Sequence, residues 1–113
     1  VRDLAPSIHR QRLVIEGYPD RAITAEEIAD YLQQLSASID MTTILEPVTH
    51  RSDRFGWAGW IHWETSGAHF YAWEDPLLFF SVDIYTCKAF DASRAVELTD
   101  KYFESTDIEW REF

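Results

Sequence analysis

Six runs of the chain have strand character, and two have the spacing of amphipathic helices. Gln11 to Tyr18 (QRLVIEGY) is a first strand, stopped by Gly17 and the Pro19-Asp20 turn. Thr42 to His50 (TTILEPVTH) is β-rich, but Pro47 has no N–H for a ladder, so an edge strand or a bulge is predicted. Apolar and polar residues alternate over Trp57 to Trp63 (WAGWIHW). A second run follows at Ala68 to Trp73, and Leu77 to Tyr85 is almost wholly apolar, as for a central strand covered on one face by helices. With turn chemistry at Thr65-Ser66-Gly67 and Glu74-Asp75-Pro76, these three runs read as an antiparallel meander with a small-residue corner at Ser66. Ile108 to Phe113 (IEWREF) alternates as a last strand.

The first helix is predicted over Thr24 to Ser36. Thr24 and Glu27 form a capping box, each satisfying an orphan N–H of the first turn, and Ile28, Tyr31, Leu32 and Leu35 make one apolar stripe. The second starts at Asp91 or Ser93, with Ala92, Ala95, Val96, Leu98, Tyr102 and Phe103 spread as on a helix lying against a sheet. The order β-α-β-β-β-β-α-β predicts an α+β fold: a two-layer sandwich, mainly antiparallel sheet with two helices on one face. Residues 1–113 form one domain, and residues 1–10 are a leader given no fixed structure.

Composition narrows the functions available. Twenty Asp and Glu against ten Lys and Arg leave a formal charge of −10. Nucleic acid is thereby excluded as a partner, since its phosphates call for clustered cations. The same charge suits cationic ligands, although it first of all describes a soluble acidic surface. One cysteine, Cys87, makes no internal disulfide and fits a reducing, cytoplasmic setting, either as a buried small residue or as a reactive thiol. No apolar run has membrane-spanning length. The rings of Trp57, Trp60, Trp63, Phe70 and Trp73 exceed what so small a core is expected to bury, which points to a homodimer.

Candidate chemistry concentrates in the meander. His50, His62 and His69 lack metal-ligand spacing, so no metal is expected. Ser66, His69 and Asp83 make a nominal Ser-His-Asp set without the turn motif of hydrolases. Glu16 lies in an otherwise apolar strand, either on the solvent face or held inward for a ligand. Arg51 and Arg54, entering the meander, are expected to pair with local carboxylates.

The Ser66 corner, the Trp73 segment and the strand end Asp83-Ile84-Tyr85-Thr86-Cys87 together resemble the small bacterial and archaeal S-adenosylmethionine decarboxylases. Arg12-Leu13-Val14-Ile15-Glu16 is similar to the family's first strand, and the likeness runs from about Gln11 to Phe103. Such enzymes cleave their own backbone and convert an internal serine into a covalent pyruvoyl group. The resemblance places that serine at Ser66, the catalytic cysteine at Cys87, and ligand contacts at Glu16, Trp73 and Glu74. It also implies a homodimer paired through the sheets.

This sequence departs from the family pattern around the serine. Thr65 replaces the glutamate before the scissile bond, Gly67 the corner histidine, and Lys88 the glycine after the cysteine. Tyr71 and Ala58 replace the histidine and serine that assist processing. Self-cleavage needs Ser66 to attack the preceding carbonyl and a base to take its α-proton. Alanine forms no such hydrogen bond, and tyrosine is a poor base near neutral pH. His69, on the same strand face as Tyr71, is the stand-in the sequence offers.

The leading expectation is therefore an uncleaved S-adenosylmethionine decarboxylase-like protein without a cofactor. It keeps a pocket for S-adenosylmethionine, a related cationic amino acid or a polyamine, or acts as a regulatory partner subunit. One alternative is an active pyruvoyl-dependent decarboxylase of polyamine biosynthesis, with pyruvoyl from Ser66, protonation by Cys87 and Glu16 on the substrate cation. The other is a pyruvoyl-independent enzyme using Cys87, His69 or Tyr71 in the same pocket.

Overall fold

The computed structural model of the chain describes residues 2–113. Its elements are β1 (Gln11–Tyr18), α1 (Ala25–Ser38), β2 (Thr43–Ser52), β3 (Gly56–Trp63), β4 (Ser66–Trp73), β5 (Phe79–Thr86), α2 (Ala92–Phe103) and β6 (Asp107–Glu112). All six strands form one antiparallel sheet in the order β2-β3-β4-β5-β1-β6. The expected α+β sandwich is thus present, with both helices on one face. Within the expected leader, described residues 2–10 form neither helix nor strand, but they are not featureless: the Ile8 N–H donates to the Ala5 carbonyl at 2.9 Å, and Arg10 pairs with Asp3.

Local chemistry explains the elements. Thr24 caps α1 by the reciprocal bonds expected of a capping box, its Oγ1 accepting from Glu27 N–H and Glu27 Oε1 accepting from Thr24 N–H, each at 3.2 Å. No basic residue stands in the last turn of α1. Lys88 Nζ instead donates to the Asp40 carbonyl at 2.5 Å and Arg94 Nη1 to the Ser38 carbonyl at 3.5 Å, placing cations where the helix dipole is negative. Asp91 caps α2. Pro47 lies on edge strand β2, inside the register shift between Leu45 and Val48, as its missing N–H requires.

One turn differs from expectation. Glu64 and Thr65 form the hairpin loop, Trp63 pairs with Ser66, and Ser66 and Gly67 already belong to β4. Glycine suggests a turn because it tolerates positive φ, but here Thr65 carries the positive φ, at 60°. Gly67 is instead needed in the ladder, where an added Cβ would lie 3.0 Å from the Ile61 carbonyl oxygen.

The core lies between sheet and helices. Leu13 and Ile15 of β1, Ile61 and Trp63 of β3, Phe70 of β4 and Val82 and Ile84 of β5 meet Ile28, Tyr31, Leu32 and Leu35 of α1 and Phe103 of α2. Trp63 and Phe70 are fully buried, so two of the five rings expected to exceed the core are in it; Trp57 and Trp73 are half-buried and Trp60 is exposed. Two buried hydroxyl contacts fix the layers. Trp63 Nε1 donates to Ser36 Oγ at 2.6 Å, and Ser36 Oγ donates to the Leu32 carbonyl at 2.7 Å. The Tyr31 and Thr99 hydroxyls meet at 2.7 Å between α1 and α2, and burial pushes the Tyr31 phenol well above its ordinary pKa despite that bond.

Candidate functional site

Side chains alternate across a strand, so an odd separation puts two residues on opposite faces. On β4, Ser66, Ala68, Phe70 and Ala72 face the helices and are buried, while Gly67, His69, Tyr71 and Trp73 face the other side. That second face carries no helix. Register extends it into rows: His62, Gly67, Tyr85 and Arg12 in one; Trp60, His69, Asp83 and Val14 in the next; Ala58, Tyr71, Ser81 and Glu16 in a third.

The expected site residues therefore divide. Ser66 and Cys87 do come together: Ser66 Oγ accepts from the Cys87 N–H at 3.2 Å, with Ser66 buried and Cys87 half-buried. His69 and Tyr71 sit on the open face, their ring centroids 6.4 Å apart, and their side chains point away from the Ser66 hydroxyl. The nominal Ser-His-Asp set is not assembled, because His69 and Asp83 are cross-strand neighbours on the open face while Ser66 faces the helices. Ala58 lies directly opposite Tyr71.

Trp73 and Glu74 are at the far end of β4, about 23 Å of extended strand from Ser66. There the Trp73 ring packs against Phe55 at 5.1 Å, and Glu74 is bridged to Arg51 at 3.1 Å and 3.4 Å. The pairing of Arg51 with a local carboxylate is as expected. Glu16 is on the solvent side of β1, accepts from the Ser81 hydroxyl at 3.2 Å, and stands directly opposite Glu109 on β6.

A cleft of about 610 Å³ opens on this face, beside the start of β4. Its walls include Thr65 and Ser66 as well as Trp60, His62, His69 and Tyr85, with Gly67 as floor and the Arg12–Asp83 ion pair alongside. Asp83 holds Arg12 through two bonds, 3.0 Å to Nε and 2.8 Å to Nη2, which raise the guanidinium pKa above its ordinary value. Arg12, Trp60 and Tyr85 were not singled out as site residues from sequence. The signal was available in their parity with His69, once strand register is known. Among the described residues no group of three or more His, Cys, Asp and Glu side chains is placed to hold a metal ion. No helix is long and apolar enough to cross a membrane.

Residues 14–113 match the sequence model of a family described as S-adenosylmethionine decarboxylase. The chain belongs to that family. The fold agrees. The crystal structure of the adenosylmethionine decarboxylase from Aquifex aeolicus VF5 superposes with a TM-score of 0.76 at 18% identity, covering 94% of this chain and 89% of that one. No curated protein sequence matches. Within the S-adenosylmethionine decarboxylase family, this member shares the fold of the Aquifex protein.

Proposed function

We propose that this family member remains a single uncleaved chain that binds S-adenosylmethionine or a related cationic amino acid or amine on the open face of its sheet, as a binding protein or as the regulatory subunit of another. The observation that carries this reading is the isolation of Ser66. Its hydroxyl receives a hydrogen bond from Cys87 N–H, and no side chain among the described residues accepts its proton. A general base has to be within hydrogen-bond reach of the proton it removes. The side chains of His62 and His69 project from the opposite face of their strands, and although both line the same cleft as Ser66, neither is hydrogen-bonded to its hydroxyl. The residues around Ser66 therefore do not fit formation of a pyruvoyl group.

Two features support a ligand and a second copy on the open face. Glu16 and Glu109 are like charges directly opposite each other, an arrangement that is destabilising by itself. Neither has a salt-bridge partner among the described residues. A ligand ammonium or sulfonium placed between them offsets that repulsion. Trp60, Tyr71 and Tyr85 are all exposed on this face, and a homodimer packing the two open faces together buries them.

Intact-mass measurement of the purified protein tests the reading. One species at the mass of the whole chain is expected. Two fragments split between Thr65 and Ser66, the second beginning with a pyruvoyl group, overturn it. Thermal shift with S-adenosylmethionine, ornithine, arginine and spermidine tests the ligand side, since a ligand bound only by the folded state raises the melting temperature. At least one shift is expected; none with any of the four leaves protein binding as the role.

A second reading, an active self-processing decarboxylase, is favoured by one feature. Thr65, β-branched and at φ 60°, holds the peptide before Ser66 in a costly conformation. Strain of this kind at the bond to be cut lowers the barrier to backbone attack, and the same mass measurement decides it.

A further inference from the structure

Ten lysines and arginines stand against twice as many carboxylates in this chain, yet two of the cations at one place are not neutralised. Among the described residues Arg10, Arg12, Arg21 and Arg51 are held by carboxylates, whereas Lys88 and Arg94 enter no salt bridge. Each donates to a backbone carbonyl at the end of α1: Lys88 Nζ to Asp40 at 2.5 Å and Arg94 Nη1 to Ser38 at 3.5 Å. An ammonium has three N–H donors and a guanidinium five, so most of their capacity is left over. Both line one concavity of about 420 Å³ between the end of α1 and the start of α2, with the half-buried Phe90 ring in its wall. Two carboxylates line it as well. Asp91 is committed to the cap of α2, accepting from the Ser93 N–H at 3.0 Å and from the Ser93 hydroxyl at 2.6 Å. The Asp40 carboxylate has no salt-bridge partner among the described residues, Lys88 and Arg94 included.

We propose that this concavity is a second binding site, for a free α-amino acid with an apolar side chain. Its carboxylate takes the spare donors of Lys88 and Arg94, its ammonium meets Asp40, and its side chain covers Phe90. A carboxylate is a stronger partner for a guanidinium than a neutral carbonyl is, and the 3.5 Å contact of Arg94 is a weak one to give up. A ligand with only an anion is repelled by Asp40, and one with only a cation by Lys88 and Arg94. A zwitterion satisfies all three. The volume lies within the range of small-molecule sites, roughly 300–1,000 Å³. The site shares no lining residue with the open-face cleft and does not depend on a ligand there. Lys88 directly follows Cys87, whose N–H donates to Ser66, so occupation of the concavity reaches that contact through one residue.

Amide chemical shifts of the whole chain, followed by NMR during titration, test the site. The probes are L-leucine, isocaproate, which is leucine without its ammonium, and isopentylamine, which is leucine without its carboxylate. Leucine is expected to move the amides of Asp40, Lys88, Phe90 and Arg94 along one saturable curve, with the Cys87 amide following. Each single-charge analogue is expected to bind at least tenfold more weakly. Arg94→Gln and Asp40→Asn, both at exposed positions, are each expected to weaken leucine by about tenfold. Asparagine tolerates the left-handed conformation that Asp40 adopts, at φ 58°, so Asp40→Asn keeps the fold and decides the matter if Arg94→Gln loosens α1. Leucine that moves none of these amides overturns the site. So does leucine that moves only amides of β3 to β5, which places it in the open-face cleft instead. Isocaproate that binds as tightly as leucine, or leucine affinity unchanged in Asp40→Asn, overturns the zwitterion assignment. All of these outcomes leave the open-face reading where it stands.

Discussion

Ser36 is a small polar residue on an otherwise apolar helix face, and its position explains its chemistry. It accepts the indole N–H of Trp63 at 2.6 Å while giving its own proton to the Leu32 carbonyl, so a fully buried tryptophan has its one donor satisfied. Removing the acceptor leaves that donor buried and unpaired. Ser36→Ala is therefore expected to cost about 1–3 kcal/mol in urea unfolding, and more than Trp63→Phe costs once Ser36 is already alanine. Ser66 is the comparable case at the site. Its oxygen meets the backbone N–H of Cys87, and that contact ties the end of β5 to the start of β4. Ser66→Ala is expected to lower the melting temperature slightly and, like the wild type, to give a single uncleaved chain by mass; a wild-type chain that is cleaved and a Ser66→Ala chain that is not would assign the scission to this hydroxyl. Neither contact is visible in the sequence, because Ser36 and Trp63 are 27 residues apart and Ser66 and Cys87 are 21 apart. The residue types alone suggested a helix position and a turn.

Among the elements, α1 was the most legible, since its start signal and its apolar stripe are both local. Its cap also carries a pH signature. For Glu27, burial raises the pKa, but bonds from the Thr24 N–H and the Arg21 guanidinium outweigh it and hold the carboxyl below its ordinary value of 4.5. A carboxylate with a depressed folded pKa contributes stability that is present above its unfolded pKa and lost as pH falls through the folded one. Stability from this cap is thus expected to fade below about pH 4.5, and Glu27→Gln to flatten the acid limb of the stability profile measured by urea unfolding. Thr24→Ala is expected to cost about 1 kcal/mol near neutral pH. The β3–β4 hairpin was read less well. Thr65 adopts a left-handed conformation disfavoured for a β-branched residue, so Thr65→Gly is expected to stabilise by about 1 kcal/mol. Helix and sheet meet at Gly59, where a Cβ would lie 2.6 Å from Ile28 Cγ2. Gly59→Ala is expected to destabilise by roughly 1–3 kcal/mol through overpacking.

At the level of the whole molecule, the absence of a second helical layer leaves Trp60, Tyr71 and Tyr85 on an uncovered face of an acidic protein. Self-association through that face is expected to appear as a dimer in sedimentation, and Tyr71→Lys to shift it to monomer without lowering the melting temperature of the monomer. What the sequence determined by itself is what short-range chemistry decides: the caps, the period-two and helical stripes, and the bulge-prone edge at Pro47. Only the tertiary structure decided that β1 enters the sheet between β5 and β6, which side the helices cover, and which side chains therefore share the open cleft. The physical reason is that alternation gives every strand two faces of equal standing. The choice between them is made by packing against distant helices and by cross-strand register, and both depend on residues far apart in the chain.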